Sequence, residues 1–143
     1  MKKSIILLAL FAASSQAADL SVGYAVSGDR DGFSIQLGSD NLLGGFAFTT
    51  QDGTTDKGAH YTLDRTDIAI GYKVTLVDTL EVYPLIGGGF FTYHDNKGKS
   101  YSETSFVYGG GVRYTFDSSI IADYSININD TDSTHMLSVG YKF

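Results

Sequence analysis

The run Ile120-Ile121-Ala122-Asp123-Tyr124-Ser125-Ile126-Asn127-Ile128 decides how the rest of the chain is read. Its even-numbered positions are apolar, while Asp123, Ser125 and Asn127 fall between them. A period of two belongs to an extended strand, because successive side chains point to opposite faces. The last seven residues repeat the pattern, with Leu137, Val139, Tyr141 and Phe143 on one face. Working backwards, the same alternation predicts strands at Phe106–Phe116, Leu80–Tyr93, Ile68–Val74, Leu42–Thr50, Phe33–Leu37 and Leu20–Val26. Facing within Leu80–Tyr93 is unassigned, since Pro84 and Gly87-Gly88-Gly89 interrupt the alternation. The count is eight strands and no helix.

Alternation alone does not say which face meets water. In a solvated barrel the second face carries Lys, Glu and Thr; here it carries mostly Gly, Ser, Ala and Asn, which suit the narrow interior of an eight-stranded barrel. The apolar face therefore points out into lipid. Composition agrees: charged residues make up 18% of the 143 residues and aromatics 13%, against roughly a quarter charged in ordinary soluble domains. Tyr72, Tyr114, Phe116, Tyr141 and Phe143 collect towards one end of the strands, and Tyr24, Phe33, Phe106 and Tyr108 towards the other, as interfacial girdles do. Links at Gly38–Asn41, Thr75–Thr79 and Asp117–Ser119 are short, whereas Gln51–Tyr61 and His94–Glu103 read as long polar loops. Short turns on one side and long loops on the other mark an outer-membrane barrel. The expected fold is an all-β, eight-stranded antiparallel up-and-down transmembrane β-barrel.

Residues 1–17 stand apart. Lys2 and Lys3 precede the apolar run Ile5–Ala13, and Ser14-Ser15-Gln16-Ala17 follows, which is the pattern of a secretory signal cleaved after Ala17. The barrel domain is then 18–143. Removing Lys2 and Lys3 from ten basic residues leaves eight against sixteen Asp and Glu, a formal charge of −8. No basic stripe exists for nucleic acid, and the absence of cysteine excludes disulfides and thiolate zinc sites.

The whole chain from residue 18 resembles the small eight-stranded outer-membrane β-barrel proteins of the OmpA/OmpX-like superfamily. Leu137-Ser138-Val139-Gly140-Tyr141-Lys142-Phe143 is similar to their C-terminal assembly signal, carried here by Leu137, Val139, Tyr141 and Phe143. Val82-Tyr83-Pro84-Leu85-Ile86-Gly87-Gly88-Gly89 is similar to their Pro/Gly-rich strand. The resemblance implies the outer membrane of a Gram-negative bacterium, both termini in the periplasm, and insertion by periplasmic chaperones and the barrel-assembly machinery. It also implies contact with outer-membrane lipid and lipopolysaccharide, and a monomer.

Candidate function divides between lumen and loops. Arg65, Asp67, Lys73, Glu81, Arg113, Asp123 and Lys142 share the inward parity and form a candidate polar network, with Lys73 expected opposite Glu81 and Arg113 opposite Asp123. Such a network serves as a plug rather than a wide pore. His60, His94 and His135 fall near Asp52, Asp56, Asp95, Glu103, Asp130 and Asp132 at the loop side. A Ser–His hydrolase pair built from His135 and Ser138 fails, because the two face opposite ways. Gly98-Lys99-Ser100 lacks the first glycine and the strand-to-helix setting of a phosphate loop, and Lys97 and Lys99 spoil any calcium loop. No catalytic residue, metal or cofactor is expected. The expected role is structural or surface-interactive, adhesion-like, with an extracellular ligand at the two long loops. A lipid-modifying enzyme or a narrow channel is the alternative.

Overall fold

The computed structural model describes residues 18–143 apart from 56, 57, 97 and 118. The expected signal segment, 1–17, lies outside the described residues, as do Asp56, Lys57, Lys97 and Ser118. The strands are β1 (Ala18–Ser27), β2 (Arg30–Ser39), β3 (Leu42–Thr54), β4 (His60–Tyr72), β5 (Val74–Val77), β6 (Leu80–Asp95), β7 (Ser100–Thr115), β8 (Ile120–Ile128) and β9 (Ser133–Lys142). Both β4 and β5 pair with β6, so together they form one stave interrupted at Lys73. Each strand runs antiparallel to its neighbours, and β1 pairs with β9 while β4 pairs with β6. The sheet therefore closes into an eight-stave barrel with no open side through its body.

The two faces separate as the alternation requires. Outward-pointing Val22, Ile70, Phe106, Leu137 and Val139 are exposed, Leu137 by 65%, whereas inward-pointing Ser21, Ser34, Gln36, Asp67, Arg113, Asp123, Ser125 and Ser138 are buried. An apolar outside around a polar inside is stable only where the outside solvent is hydrocarbon. An aromatic row runs Phe48, Phe33 and Tyr24 across β3, β2 and β1 towards the apical rim. Towards the opposite rim, Tyr114 packs edge-on against Phe116 at 4.8 Å and Tyr141 against Phe143 at 5.3 Å.

Strands extend further into the expected loops than the alternation indicates. The first turn contracts to Gly28-Asp29, with Ser27 paired to Arg30 and Gly28 at φ 60°, a left-handed conformation glycine takes without strain. Most of Gln51–Tyr61 and His94–Glu103 is paired strand: β3 runs to Thr54, β4 starts at His60, β6 runs to Asp95 and β7 starts at Ser100. The polar composition that reads as loop is that of a sheet solvated on both faces, where no apolar period is needed. The last β2–β3 pair is Asp31–Thr50, and the β7–β8 ladder ends at Tyr108–Ile128. Above these points β3, β4, β6 and β7 rise as a four-stranded blade. Its tall strands β6 and β7 have 16 residues against 9 in β8, which at about 3.3 Å per residue is ~23 Å of additional strand.

Candidate functional site: a plugged lumen beneath an open mouth

Side chains fill the interior in layers. The floor, near the chain termini, joins four charges from different staves. Arg113 on β7 donates from Nε to Asp123 Oδ2 on β8 (2.9 Å), from Nη1 to Asp19 Oδ1 on β1 (2.6 Å) and from Nη2 to Gln36 Oε1 on β2 (3.1 Å). Lys73 Nζ donates to the other oxygen of Asp19 at 2.8 Å. Tyr83 on β6 donates its hydroxyl to Asp123 Oδ1 at 2.6 Å, and Gln36 Nε2 donates to Ser125 Oγ at 3.0 Å. Two cations thus face two carboxylates, and the quartet is formally neutral. Burial of charge is tolerable only when it is paired and its remaining donors and acceptors are met, as here.

Small residues make room for this layer. A Cβ on Gly111 would lie 2.3 Å from Tyr83 Oη, and one on Gly38 would lie 2.3 Å from both oxygens of Asp19. The glycines opposite Tyr83 and Asp19 in the ladder are therefore the hollows into which those side chains fit.

Above the floor the lumen is tight and less charged. Ala25, Ala47 and Met136 form a buried cluster, and the Ser34 and Ser138 hydroxyls meet at 3.1 Å. Higher still, a second neutral quartet closes the apical end. Arg65 donates from Nε and Nη2 to the two oxygens of Asp67 at 2.9 and 3.1 Å. Arg30 Nη2 pairs with Asp132 and also donates to Ser27 Oγ, while Arg65 Nη1 stands 3.6 Å from Asp132. The Arg30 guanidinium also lies over the Phe91 ring, 5.5 Å from its centroid. This quartet floors a mouth cavity of about 290 Å³, lined among others by Phe91, Glu103, Ser105, Asn129 and Thr131.

The expected network is thus divided between two levels. Arg65 and Asp67 are in the upper layer, and Lys73, Arg113 and Asp123 in the lower, with Arg113 and Asp123 in register across β7 and β8. Lys73 does not face Glu81. The β5–β6 hairpin turns tightly after the Val77–Leu80 pair and carries a bulge between Thr75 and Val77. Val74 therefore meets Val82 and Thr75 meets Glu81, and Lys73, in the break between β4 and β5, reaches across to Asp19. Among the described residues no ion pair involves Glu81 or Lys142. Lys142 is opposite Asp19 in register but lies exposed at the barrel's end, where water solvates its ammonium, and both Asp19 oxygens already have cations.

Asp19, Gln36 and Tyr83, and Arg30 with Ser27 and Asp132, complete the layers; none was in the expected lumen network, and Asp132 alone was noted, as a loop-side carboxylate. Hairpin reasoning pairs residues close along the chain, whereas Arg113 and Asp19 are 94 residues apart and meet only because the barrel closes. Inward parity with Ser21 was the available signal for Asp19. For Tyr83 it was Gly111 opposite. Leu137, Val139, Tyr141 and Phe143 line the outward face at the end of the chain, all exposed to the lipid side. His60 and His94 lie exposed on the blade, and His135 points outward from β9. Groups of three or more His, Asp or Glu arranged to hold a metal are absent among the described residues.

No protein-family model matches the sequence, and neither does any curated protein. Solved structures do match. The attachment invasion locus protein Ail of Yersinia pestis aligns with a TM-score of 0.77 at 22% identity, over 90% of this chain and 99% of that one. The N-terminal barrel domain of Pseudomonas aeruginosa OprF aligns with a TM-score of 0.63 at 18% identity, over 90% of this chain and 98% of that one. This is the fold of the small eight-stranded outer-membrane barrels. Ail is also solved in complex with the heparin analogue sucrose octasulfate, in a structure that aligns at 0.74 and 21% identity.

Proposed function

We propose that the protein is an integral outer-membrane barrel of a Gram-negative bacterium that holds a surface-interaction, adhesion-like site on the blade, above a plugged lumen. The observation that carries this reading is the free edge of β7. From Ser100 to Val107 the strand is paired with β6 but, among the described residues, has no strand on its other side. Eight residues of unpaired edge are a template for an extended polypeptide, which gains main-chain hydrogen bonds by adding as another strand. A soluble monomer would hide such an edge; here the part of it above the girdle residue Phe106 stands beyond the membrane. The blade adds side-chain contacts: Tyr61 stacks on Tyr93 at 6.0 Å, and Tyr101, opposite Tyr93 in the ladder, is exposed.

Charge sets the class of partner. The apical segments 28–31, 50–64, 91–103 and 129–132 hold nine Asp and Glu against four Lys and Arg, a formal −5. A sulfated polyanion of the kind bound to Ail is repelled by that surface, whereas a basic polypeptide is drawn to it. A conducting role has less support, since two neutral ionic layers and the packed Ala25, Ala47 and Met136 layer fill the path. Lipid and lipopolysaccharide surround the apolar band, assembly proceeds through periplasmic chaperones and the barrel-assembly machinery reading the terminal Leu137, Val139, Tyr141 and Phe143, and the product is a monomer.

Proline substitution tests the edge. Of two neighbouring residues such as Ser102 and Glu103, one directs its N–H out of the sheet. Proline there abolishes binding of vesicles carrying the barrel to immobilised extracellular-matrix protein, while the folded species still migrates differently before and after boiling. Binding that survives both substitutions at full strength overturns the proposal.

A further inference from the structure

Beyond surface binding, we infer that Ser133, His135 and Tyr124 form an esterase-type site on the lipid-facing side of the apical rim, acting on fatty-acyl esters of outer-leaflet lipids. Ser133 opens β9 and His135 follows two residues later, so both side chains project from the same outward face. Ser133 Oγ lies 3.2 Å from His135 Nε2, and His135 Nδ1 lies 2.8 Å from Tyr124 Oη on β8. With its proton on Nδ1, the imidazole donates to the Tyr124 oxygen and leaves Nε2 to accept from the Ser133 hydroxyl. A nucleophile within reach of a base that is itself oriented by a third group is the arrangement an acyl-transfer site requires. The sequence hides it, because Ser138, three residues past His135, points into the lumen while Ser133 does not.

Two further features support the assignment. The turn before Ser133 is braced: Asp132 Oδ1 accepts from the Ser133 amide at 2.7 Å, and Asn129 Oδ1 accepts from the Asp132 amide at 2.7 Å. The nucleophile's backbone is thereby fixed. Its height is also chemically apt. Ser133 opens β9, whose ten residues are about what a strand needs to cross the bilayer, which places it at the apical boundary between acyl chains and headgroups, where the ester bonds of a lipid lie.

The chemistry needs only water. Ser133 Oγ attacks the ester carbonyl carbon as Nε2 takes its proton; the C–O bond to the alcohol breaks, and the imidazolium returns that proton to the departing alkoxide oxygen. Water then adds to the acyl-serine carbonyl, giving its proton to Nε2, and the fatty acid leaves as Ser133 Oγ is reprotonated. The Ser133 amide is spent on Asp132 and its neighbours lie within the β8–β9 ladder, so the acceleration expected is that of general-base catalysis, about 10²–10⁴-fold. Ser133 and His135 are the catalytic residues, and Tyr124 is a positioning residue.

The test uses the folded barrel in two kinds of vesicle, one of phospholipid and one with lipopolysaccharide in its outer leaflet. Released fatty acid is measured by mass spectrometry, and a fluorophosphonate reagent reports the nucleophile directly. The expected result is release from at least one lipid together with labelling at Ser133. Both are lost in Ser133→Ala and His135→Ala, whose folds are checked by heat-modifiable migration. Tyr124→Phe slows release and shifts its pH profile, which a purely structural role would not do. Lys142→Ala, at the exposed opposite end of the barrel, leaves release unchanged. The proposal is overturned by absence of release from both lipids, by absence of labelling, or by release that persists in Ser133→Ala.

Discussion

Replacing Arg113 with alanine is expected to weaken the barrel more than any change at its solvated ends. The side chain is fully buried and bonds Asp123, Asp19 and Gln36 at once. Its loss turns a neutral quartet into one cation, Lys73, against two carboxylates, with Tyr83 left as the one described side chain donating to Asp123. Removing one partner of a buried pair costs about 3–5 kcal/mol, because the other charge stays behind in a poorly solvating interior. At about 1.4 kcal/mol per decade that is a loss of two to three and a half decades in the folding equilibrium. Lys142→Ala, at an exposed position with no described ion pair, is expected to change stability little. The paired variant Arg113→Met with Asp123→Asn restores neutrality and should cost less than its single changes added together. Urea titration in lipid vesicles, approached from folded and unfolded protein, measures all five variants. Far-UV circular dichroism and gel mobility are the suitable signals, since the chain has no tryptophan. A loss below about 1 kcal/mol for Arg113→Ala, or strict additivity in the paired variant, would refute the view that the floor quartet is a coupled, buried unit.

Other consequences of the same layering are open to measurement. Gly111→Val drives a side chain into the Tyr83 ring, whose Cζ would lie 2.4 Å from the new Cβ, and should cost about 1–3 kcal/mol; Gly44→Ala, where the nearest atom is 3.9 Å away, is the matched control and should be near neutral in the same titration. Val139→Arg puts a cation on the lipid face in register with Val22 and Ala122 and should destabilise by about 2–4 kcal/mol in vesicles, and an unchanged midpoint would mean that this face does not meet lipid. Phe143→Ser should lower the amount of barrel recovered from cell envelopes while leaving the urea midpoint of refolded protein nearly unchanged, which separates a signal read during assembly from a packing contact.

The two-residue period by itself determined the strands, the inward set and the lipid-facing set, because every side chain in a strand is committed to one of two faces. Gly, Ser and Asn between Ile and Tyr said which face was the lumen, and local hairpin register was enough to put Arg113 opposite Asp123. Tertiary structure decided what chain order does not carry. Closing the sheet brought Asp19 to Arg113 and Lys73, a tighter turn after Val77–Leu80 moved Lys73 away from Glu81, and pairing beyond the membrane turned two apparent loops into one blade. It also brought Tyr124 beside His135 from the neighbouring strand. The physical reason is common to all of these. Facing follows from the geometry of a single residue, whereas contact across a cylinder depends on the register of every stave between the two partners.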